Sequence, residues 1–304
     1  MSLETISYGK VTWVNIEQPT PEDVQVLRRN YDFHPLELED CLSNIERPKI
    51  DEHENYLFIV MHFPVYDSKS QVSHPSEVDF FVGQGFLVSV HDGDLKPIYQ
   101  LFDDCQKFEK TRSRIMGRGA SRLLYSVIDR LVDYCEPVLR KVDSNIRQIE
   151  GNIFSEDMRR VVGDISIVRR DIIALRRIIR PQIPIVRNLE VEDRPFIRED
   201  LDVYFSDIVD HLTRLWDMLE DHREVVEGLS ETSDSVISYR LNDTMRILTI
   251  ISVIMLPLSL ISGIYGMNVD LPLDHLSWAF GIVLGIMLMV AVGMIALFRR
   301  WHVI

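Results

Sequence analysis

Two long uncharged stretches stand almost back to back near the end of this 304-residue chain, and they limit its fold more than any other feature. Between Arg246 and Asp270 no residue carries a formal charge, and the same holds between Asp274 and Arg299 apart from a neutral His275. Each stretch is about twenty residues, which as a helix rising ~1.5 Å per residue crosses the ~30 Å apolar layer of a bilayer. The sequence therefore predicts two transmembrane helices, 247–268 and 277–298, joined by an external loop, 269–276, and followed by a basic tail, 299–304.

Basic residues set the orientation. Arg240 and Arg246 precede the first span, Arg299 and Arg300 follow the second, and the loop holds only Asp270, Asp274 and His275. Lys and Arg stay on the cytosolic side, so both termini are expected there, in a cell (inner) membrane, with the acidic loop outside. The opening Met1-Ser2-Leu3-Glu4-Thr5 has no basic region followed by an apolar core, so no signal peptide is expected.

The net charge is −14, and after Arg246 the two acids and two arginines cancel, so the whole excess of acid lies in residues 1–246. Such a surface repels nucleic acid and gathers cations, although a merely solvated acidic surface has the same composition. Cys41, Cys105 and Cys135 are far apart and form no Cys-x-x-Cys pair, which fits a reducing compartment and no thiolate metal site. No Walker loop, nucleophile elbow or His-x-x-x-His pair is present, so neither an enzyme nor an organic cofactor is expected. His34, His62 and His211 read as structural.

The expected fold class is α+β: an α/β domain with long stalk helices, then the two spans. In residues 1–95, Val11–Ile16, Tyr56–Phe63, Val78–Val82 and Phe86–Val90 read as strands, the last two forming a hairpin through Gly83-Gln84-Gly85. Thr20-Pro21-Glu22-Asp23 is a helix start. In residues 96–195 one amphipathic helix runs through Leu124, Leu131, Val138, Ile146 and Ile153. A second runs from Val161 to Ile179, where Pro181 and Pro184 disturb or end it. From near Phe196 to near Gly266 one continuous helix is predicted: a stalk, 196–246, carrying apolar residues four and three apart from Leu201 to Leu229, and then the first span.

Inside that span Asn242, Met245, Thr249, Ser252, Leu256, Ser259, Gly263 and Gly266 recur at steps of three and four. Small and polar residues at membrane depth serve either close helix packing or the lining of a water-filled path, and spacing alone leaves both open. Two spans cannot enclose a path, so a pore needs several copies around one axis. The stripe continues backward through Ser238, Ser235 and Glu231, then Glu224, Asp221 and Asp217, which would give a ring of copies an acidic vestibule. At the outer end Gly266 permits a tight stop and Asn268 offers an uncharged oxygen acceptor. Such a ring suits Mg²⁺, which gives up its water reluctantly, with Asp270 and Asp274 gathering cations before entry.

Tyr265-Gly266-Met267-Asn268 closing the first of two C-terminal spans, with Pro257 in mid-span, strongly resembles the CorA family of magnesium transport proteins. Arg47-Pro48-Lys49, Glu54-Asn55-Tyr56 and Leu123-Leu124-Tyr125-Ser126-Val127-Ile128-Asp129 extend the resemblance over nearly the whole chain. It implies a homopentameric divalent-cation channel in the lipid bilayer, most simply for Mg²⁺ uptake with Co²⁺ or Ni²⁺ also carried. Gly266, Met267 and Asn268 would be the selectivity filter, and Asn242, Met245, Leu248, Ser252, Leu256, Ser259 and Gly263 the pore lining. The family pattern thus favours Leu248 where spacing favours Thr249. Asp207 and Asp94 would bind regulatory cytosolic Mg²⁺ between subunits. One departure is the loop Val269-Asp270-Leu271-Pro272-Leu273-Asp274, where many magnesium-selective members carry Met-Pro-Glu-Leu. It leaves a Zn²⁺ transporter of the same superfamily, with proton coupling as a variant, as the alternative; a membrane-anchored helical scaffold is a further one.

Overall fold

The computed structural model describes residues 3–43, 46–155, 157–191, 197, 201–267 and 278–301. The chain divides into two compact units, Met1–Ser233 and Asp234–Ile304. The division falls inside the long stalk helix rather than at the membrane end of it.

The first unit opens with strands β1 (Leu3–Tyr8) and β2 (Val11–Glu17), helices α1 (Pro21–Asn30) and α2 (Pro35–Asp40), and strands β3 (Lys49–Glu52), β4 (Tyr56–Asp67), β5 (Val72–Gly83) and β6 (Phe86–His91). Together the strands form one six-stranded sheet in the order β1-β2-β6-β5-β4-β3. Only β2 and β6 run parallel; the other neighbours are antiparallel. The near-continuous apolar run of β4 has a simple cause: both faces of the sheet are covered. Leu57, Ile59, Met61 and Phe63 enter one core and Tyr56, Phe58 and Val60 the other. The N-terminal start of α1 is as the sequence predicts. Thr20 accepts from the Asp23 amide, Asp23 accepts from the Thr20 amide, and Pro21 occupies the first turn.

Edge strands β1 and β3 were not foreshadowed by pattern. Ile6 is the single buried residue of β1 and β3 has none, so neither carries an alternation to read. Strand β5 starts at Val72 rather than Val78 for a related reason. Its first half and the end of β4 extend past the rest of the sheet as a two-stranded ribbon, with Pro64 opposite Pro75. An exposed ribbon would leave unpaired amides along both edges. Here the prolines supply no donor, the Ser73 amide donates to Asp171 Oδ1 at 2.6 Å, and the His62 amide donates to Gln182 Oε1 at 3.4 Å. Asp171 and Gln182 are themselves buried.

Helices α3 (Lys96–Lys107), α4 (Glu109–Met116), α5 (Ala120–Asn152), α6 (Met158–Ile179) and α7 (Gln182–Val191) follow, and then α8 (Asp202–Tyr265). The break between α6 and α7 sits at Pro181, as expected, whereas Pro184 is accommodated in the first turn of α7, where its missing N–H costs nothing. Phe205, Ile208, Leu212, Leu215, Leu219 and Val226 of α8 join Leu131, Val138, Val142 and Ile146 of α5 and Ile165, Ile172, Leu175 and Ile179 of α6 in the larger core. Burying each such side chain is worth roughly 1.5–3 kcal/mol. All three cysteines are free and buried.

The second unit holds the remainder of α8 and α9 (Ala279–Arg300), and both helices are long and apolar enough to cross a membrane. In α8, Ile250, Ile254, Pro257, Leu258 and Ile261 are half-buried while the residues around them are exposed; in α9 the half-buried set is Val283, Met287, Val290, Ala291, Met294 and Phe298. Each set follows helical spacing, so each helix has one shielded face and leaves the rest of its apolar surface open.

Candidate functional site

The polar stripe of α8 lies on the side of the helix away from its shielded face. At about 100° per residue, Met245, Ser252, Leu256, Ser259 and Gly263 centre roughly 180° from the Ile250–Ile261 set. Asn242, Met245, Leu248, Ser252, Leu256, Ser259 and Gly263 are all exposed within the chain, Met245 at 53%, Leu248 at 56% and Leu256 at 71%. A Cβ added at Gly263 would meet no atom within 4 Å. The small residues therefore do not serve packing against another described helix of the same chain, which leaves pore lining and packing between copies as the two readings. Thr249 and Leu248 flank the stripe on opposite sides, about equally far from its centre, so both readings of that turn fit a single copy.

The hydroxyls on this face are set up as acceptors. Ser252 donates to the Leu248 carbonyl at 2.9 Å and Thr249 to the Met245 carbonyl at 2.8 Å. With the proton committed to the backbone, each oxygen turns only lone pairs outward, the form that receives a hydrogen bond from the water shell of a cation. Pro257, on the shielded face, removes one amide and so frees the carbonyl of Val253 in mid-span.

Helix α8 ends at Tyr265, and its last turn closes through the Gly266 amide to Ser262 and the Met267 amide to Ile264. Gly266 is not in the left-handed region, unlike Gly93, so its need is not the usual left-handed stop. A Cβ there would lie 3.2 Å from the Ser262 carbonyl oxygen, a tight contact with the residue's own last turn. Asn268, Asp270 and Asp274 lie outside the described residues.

The two candidate regulatory carboxylates occupy different surroundings. Asp94 is exposed in the turn after β6, where Asp92 accepts from Ser76 and from the Asp94 amide at 2.6 and 3.0 Å, and His74 Nε2 lies 3.7 Å from its carboxylate. Gly93 holds that turn at φ +95°, a conformation that side-chain-bearing residues rarely adopt. The turn is anchored from below by a buried chain of hydrogen bonds. Trp13 donates to Ser89, Ser89 donates to Asn15, His91 Nε2 pairs with the same Asn15 oxygen, and the Gly93 amide donates to His91 Nδ1. Burial pushes the His91 pKa down to about 4, so the ring is neutral, with its proton on Nε2.

Asp207 lines an open cavity of about 650 Å³ together with Glu190, Asp202 and Asp210. Asp129, on α5, is raised above the usual carboxylate range by burial and then by the charges of Asp133 and Asp207. These neighbours form an acidic patch of which sequence reading singled out Asp207 alone. Asp129 was on the page as part of the Leu123–Asp129 motif, but nothing in its spacing tied it to a residue 78 positions away. Among the described residues no group of three or more His, Cys, Asp or Glu side chains is placed to hold a metal within one chain.

A mixed sheet covered by helices is followed by a long helix and a second one, both long and apolar enough to cross a membrane. The comparisons assign the family. A family model described as CorA-like Mg²⁺ transporter protein matches residues 8–300, so this chain belongs to the CorA family of divalent-cation transporters. It is 32% identical over 292 residues to the cobalt/magnesium transport protein CorA of Thermotoga maritima, covering 95% of this chain and 82% of that one. It is 30% identical over 306 residues to YfjQ of Bacillus subtilis, provisionally named a metal ion transporter, covering 97% and 91%. In fold it matches the complete structure of the CorA magnesium transporter from Methanocaldococcus jannaschii with a TM-score of 0.84 at 21% sequence identity, covering 97% of this chain and 92% of that one.

Proposed function

We propose that five copies of this chain place the Asn242–Gly263 stripe around a common axis and admit divalent cations to the cytosol, Mg²⁺ foremost, with Co²⁺ and Ni²⁺ also carried. The observation that carries this reading is the position of the stripe, opposite the shielded face of α8 and with open space at Gly263. A face bearing Asn, Ser and Gly has nothing to gain from lipid, and a surrounding ring of copies gives it water.

In this mechanism Asp270 and Asp274 raise the cation concentration at the outer mouth. Gly266, Met267 and Asn268 then form the filter, where amide oxygens hold the hydrated ion without stripping it. Oxygen lone pairs of Ser259 and Ser252 support passage below. Met245, Leu248 and Leu256 narrow the path with apolar side chains that stop flow by excluding water. Both chain termini lie on the cytosolic side, as the basic residues flanking the spans require. Asp207 of one subunit and Asp94 of the next share a regulatory Mg²⁺; without it the carboxylates repel, the subunits loosen, and the open population grows. A path lined only by oxygen, sulfur ether and alkyl groups has neither thiolate nor imidazole, so it favours Mg²⁺ over Zn²⁺.

Flux into proteoliposomes, with Mg²⁺, Co²⁺, Ni²⁺ and Zn²⁺ compared on one preparation, tests the ion. Zn²⁺ outcompeting Mg²⁺, or flux that follows a pH gradient, would replace this reading by the zinc transporter. In the same assay Asn268→Ala reduces Mg²⁺ flux to background with the oligomer intact; unchanged flux removes the filter assignment. Asp207→Ala weakens the protection that Mg²⁺ gives the assembled protein against limited proteolysis. Equal protection in mutant and parent would defeat the sensor.

A further inference from the structure

A second, cationic site is built where α6 meets α8. In a chain of net charge −14, the outer stripe of α6 carries Arg169, Arg176 and Arg180 at helical spacing, with Arg177 beside them. Like charges three and four residues apart destabilise a helix unless something offsets them. Two adjoining cavities open along this stripe and share Arg176. One, about 180 Å³, is also bordered by Arg169, Arg223 and Glu227; the other, about 370 Å³, by Arg177, Arg180 and Trp216. Ligand pockets of proteins begin at about 300 Å³, so the larger one alone has room for a small molecule.

The arginines are positioned rather than loose. The guanidinium carbons of Arg176 and Arg180 lie 5.1 and 5.3 Å from the centroid of the Trp216 ring. At that distance the ring face attracts each guanidinium, which holds the two cations near one another at the mouth of the larger cavity. Arg176 forms an ion pair with Glu220 at 2.6 Å, while its buried Nε has no hydrogen-bond partner among the described residues. Arg223 is occupied by Glu220 and Glu227. Among the described residues no carboxylate pairs with Arg169, Arg177 or Arg180. The groove therefore holds several cationic forks and an aromatic ring, with fewer carboxylates than arginines among the described residues.

We propose that this groove binds a polyphosphate anion, the chemistry shared by a nucleoside triphosphate and inorganic tripolyphosphate. Several negative charges in a row match arginines spread over two joined cavities, and phosphate oxygens match the bidentate geometry of the guanidinium edge. The site is independent of the ion path, because no residue in it belongs to the stripe, the filter or the acidic patch.

Calorimetry and tryptophan fluorescence on the purified full chain in detergent, free of divalent cations, test the assignment with tripolyphosphate, ATP, orthophosphate and micelles doped with phosphatidylglycerol. Saturable binding of tripolyphosphate and ATP is expected, at least about tenfold tighter than orthophosphate. The double variant Arg177→Gln/Arg180→Gln weakens it by a further factor of about ten or more, with cooperative melting retained. Arg159→Gln, also on α6 but outside both cavities, leaves it unchanged. ATP and tripolyphosphate binding equally places recognition in the phosphates; ATP binding more tightly adds a contact to the nucleoside. Binding to the lipid micelles alone, no saturable binding, or binding indifferent to the double substitution would each overturn the proposal.

Discussion

The two units of this chain stand in opposite relations to their own surfaces. In Met1–Ser233 the apolar side chains of six strands and the helices packed on them are buried, and even the overhanging ribbon of β4 and β5 has its edge amides answered by Asp171 and Gln182. In Asp234–Ile304, Leu248, Leu256, Leu260, Phe280, Leu288 and Met289 stand more than half exposed. The first unit buries most of its own apolar surface without help from another copy. The second leaves both surfaces uncovered within one copy; in the proposed assembly lipid covers the apolar surface, and water enclosed by further copies meets the polar stripe. Where a chain is self-sufficient, residues report packing; where it is not, they report what is missing.

The sharpest way to break that contrast is at Gly263. Because a side chain there meets open space within the chain, Gly263→Leu leaves monomer folding intact yet reduces cation flux to background by filling the shared path. Retained flux with normal assembly would return the stripe to an unexplained packing role. A smaller effect is expected in the first unit. Asp171→Ala leaves the buried Ser73 amide without its acceptor, costing about 1–3 kcal/mol, read as a lower thermal midpoint with unchanged flux at permissive temperature. If stability does not move, the ribbon edge is answered by something other than Asp171.

The smallest expected effect is a slope in pH. His91 has an ordinary pKa of 6.5 and a folded one of about 4, so between these values the unfolded chain takes up more protons. Stability from this residue is full above about 6.5 and lost as pH falls toward 4. Buried Asp79, raised well above the usual carboxylate range mainly by burial, works in the opposite sense at low pH. It is present in both proteins when parent and His91→Gln are compared, and their difference isolates the histidine. The variant is less stable at neutral pH but loses less on acidification, and parallel curves for the two would remove the buried network from the account of how the Asp92–Asp94 turn is held.

Much of the fold was legible because its signals are local. Thr20-Pro21-Glu22-Asp23 closes a capping box within four residues, the β5–β6 hairpin turns at Gly83–Gly85, and the Leu and Ile spacing of α5, α6 and α8 states which face of each helix is buried. Illegible were elements whose stability comes from neighbours. The edge strands β1 and β3 bury almost nothing of their own, and Asp171 reads as one more helix acid until β5 is seen to need it. The candidate site divides the same way. Asn242 through Gly263 are spaced along one helix and could be picked out as a stripe, whereas Asp129 and Asp207 meet only because α5 and α8 pack together. So do Arg176 and Trp216, from α6 and α8.

By itself the sequence determined that this chain carries two membrane spans, that its excess of acid lies in what precedes them, and that a periodic polar stripe runs along the first. Periodicity, charge and length are properties of a chain before it folds. Only the tertiary structure decided which way the stripe faces relative to the shielded side of its helix, which carboxylates gather near Asp207, and where arginines and an indole come together. Those depend on distances between residues far apart in sequence, which burial of apolar surface fixes and no local pattern encodes.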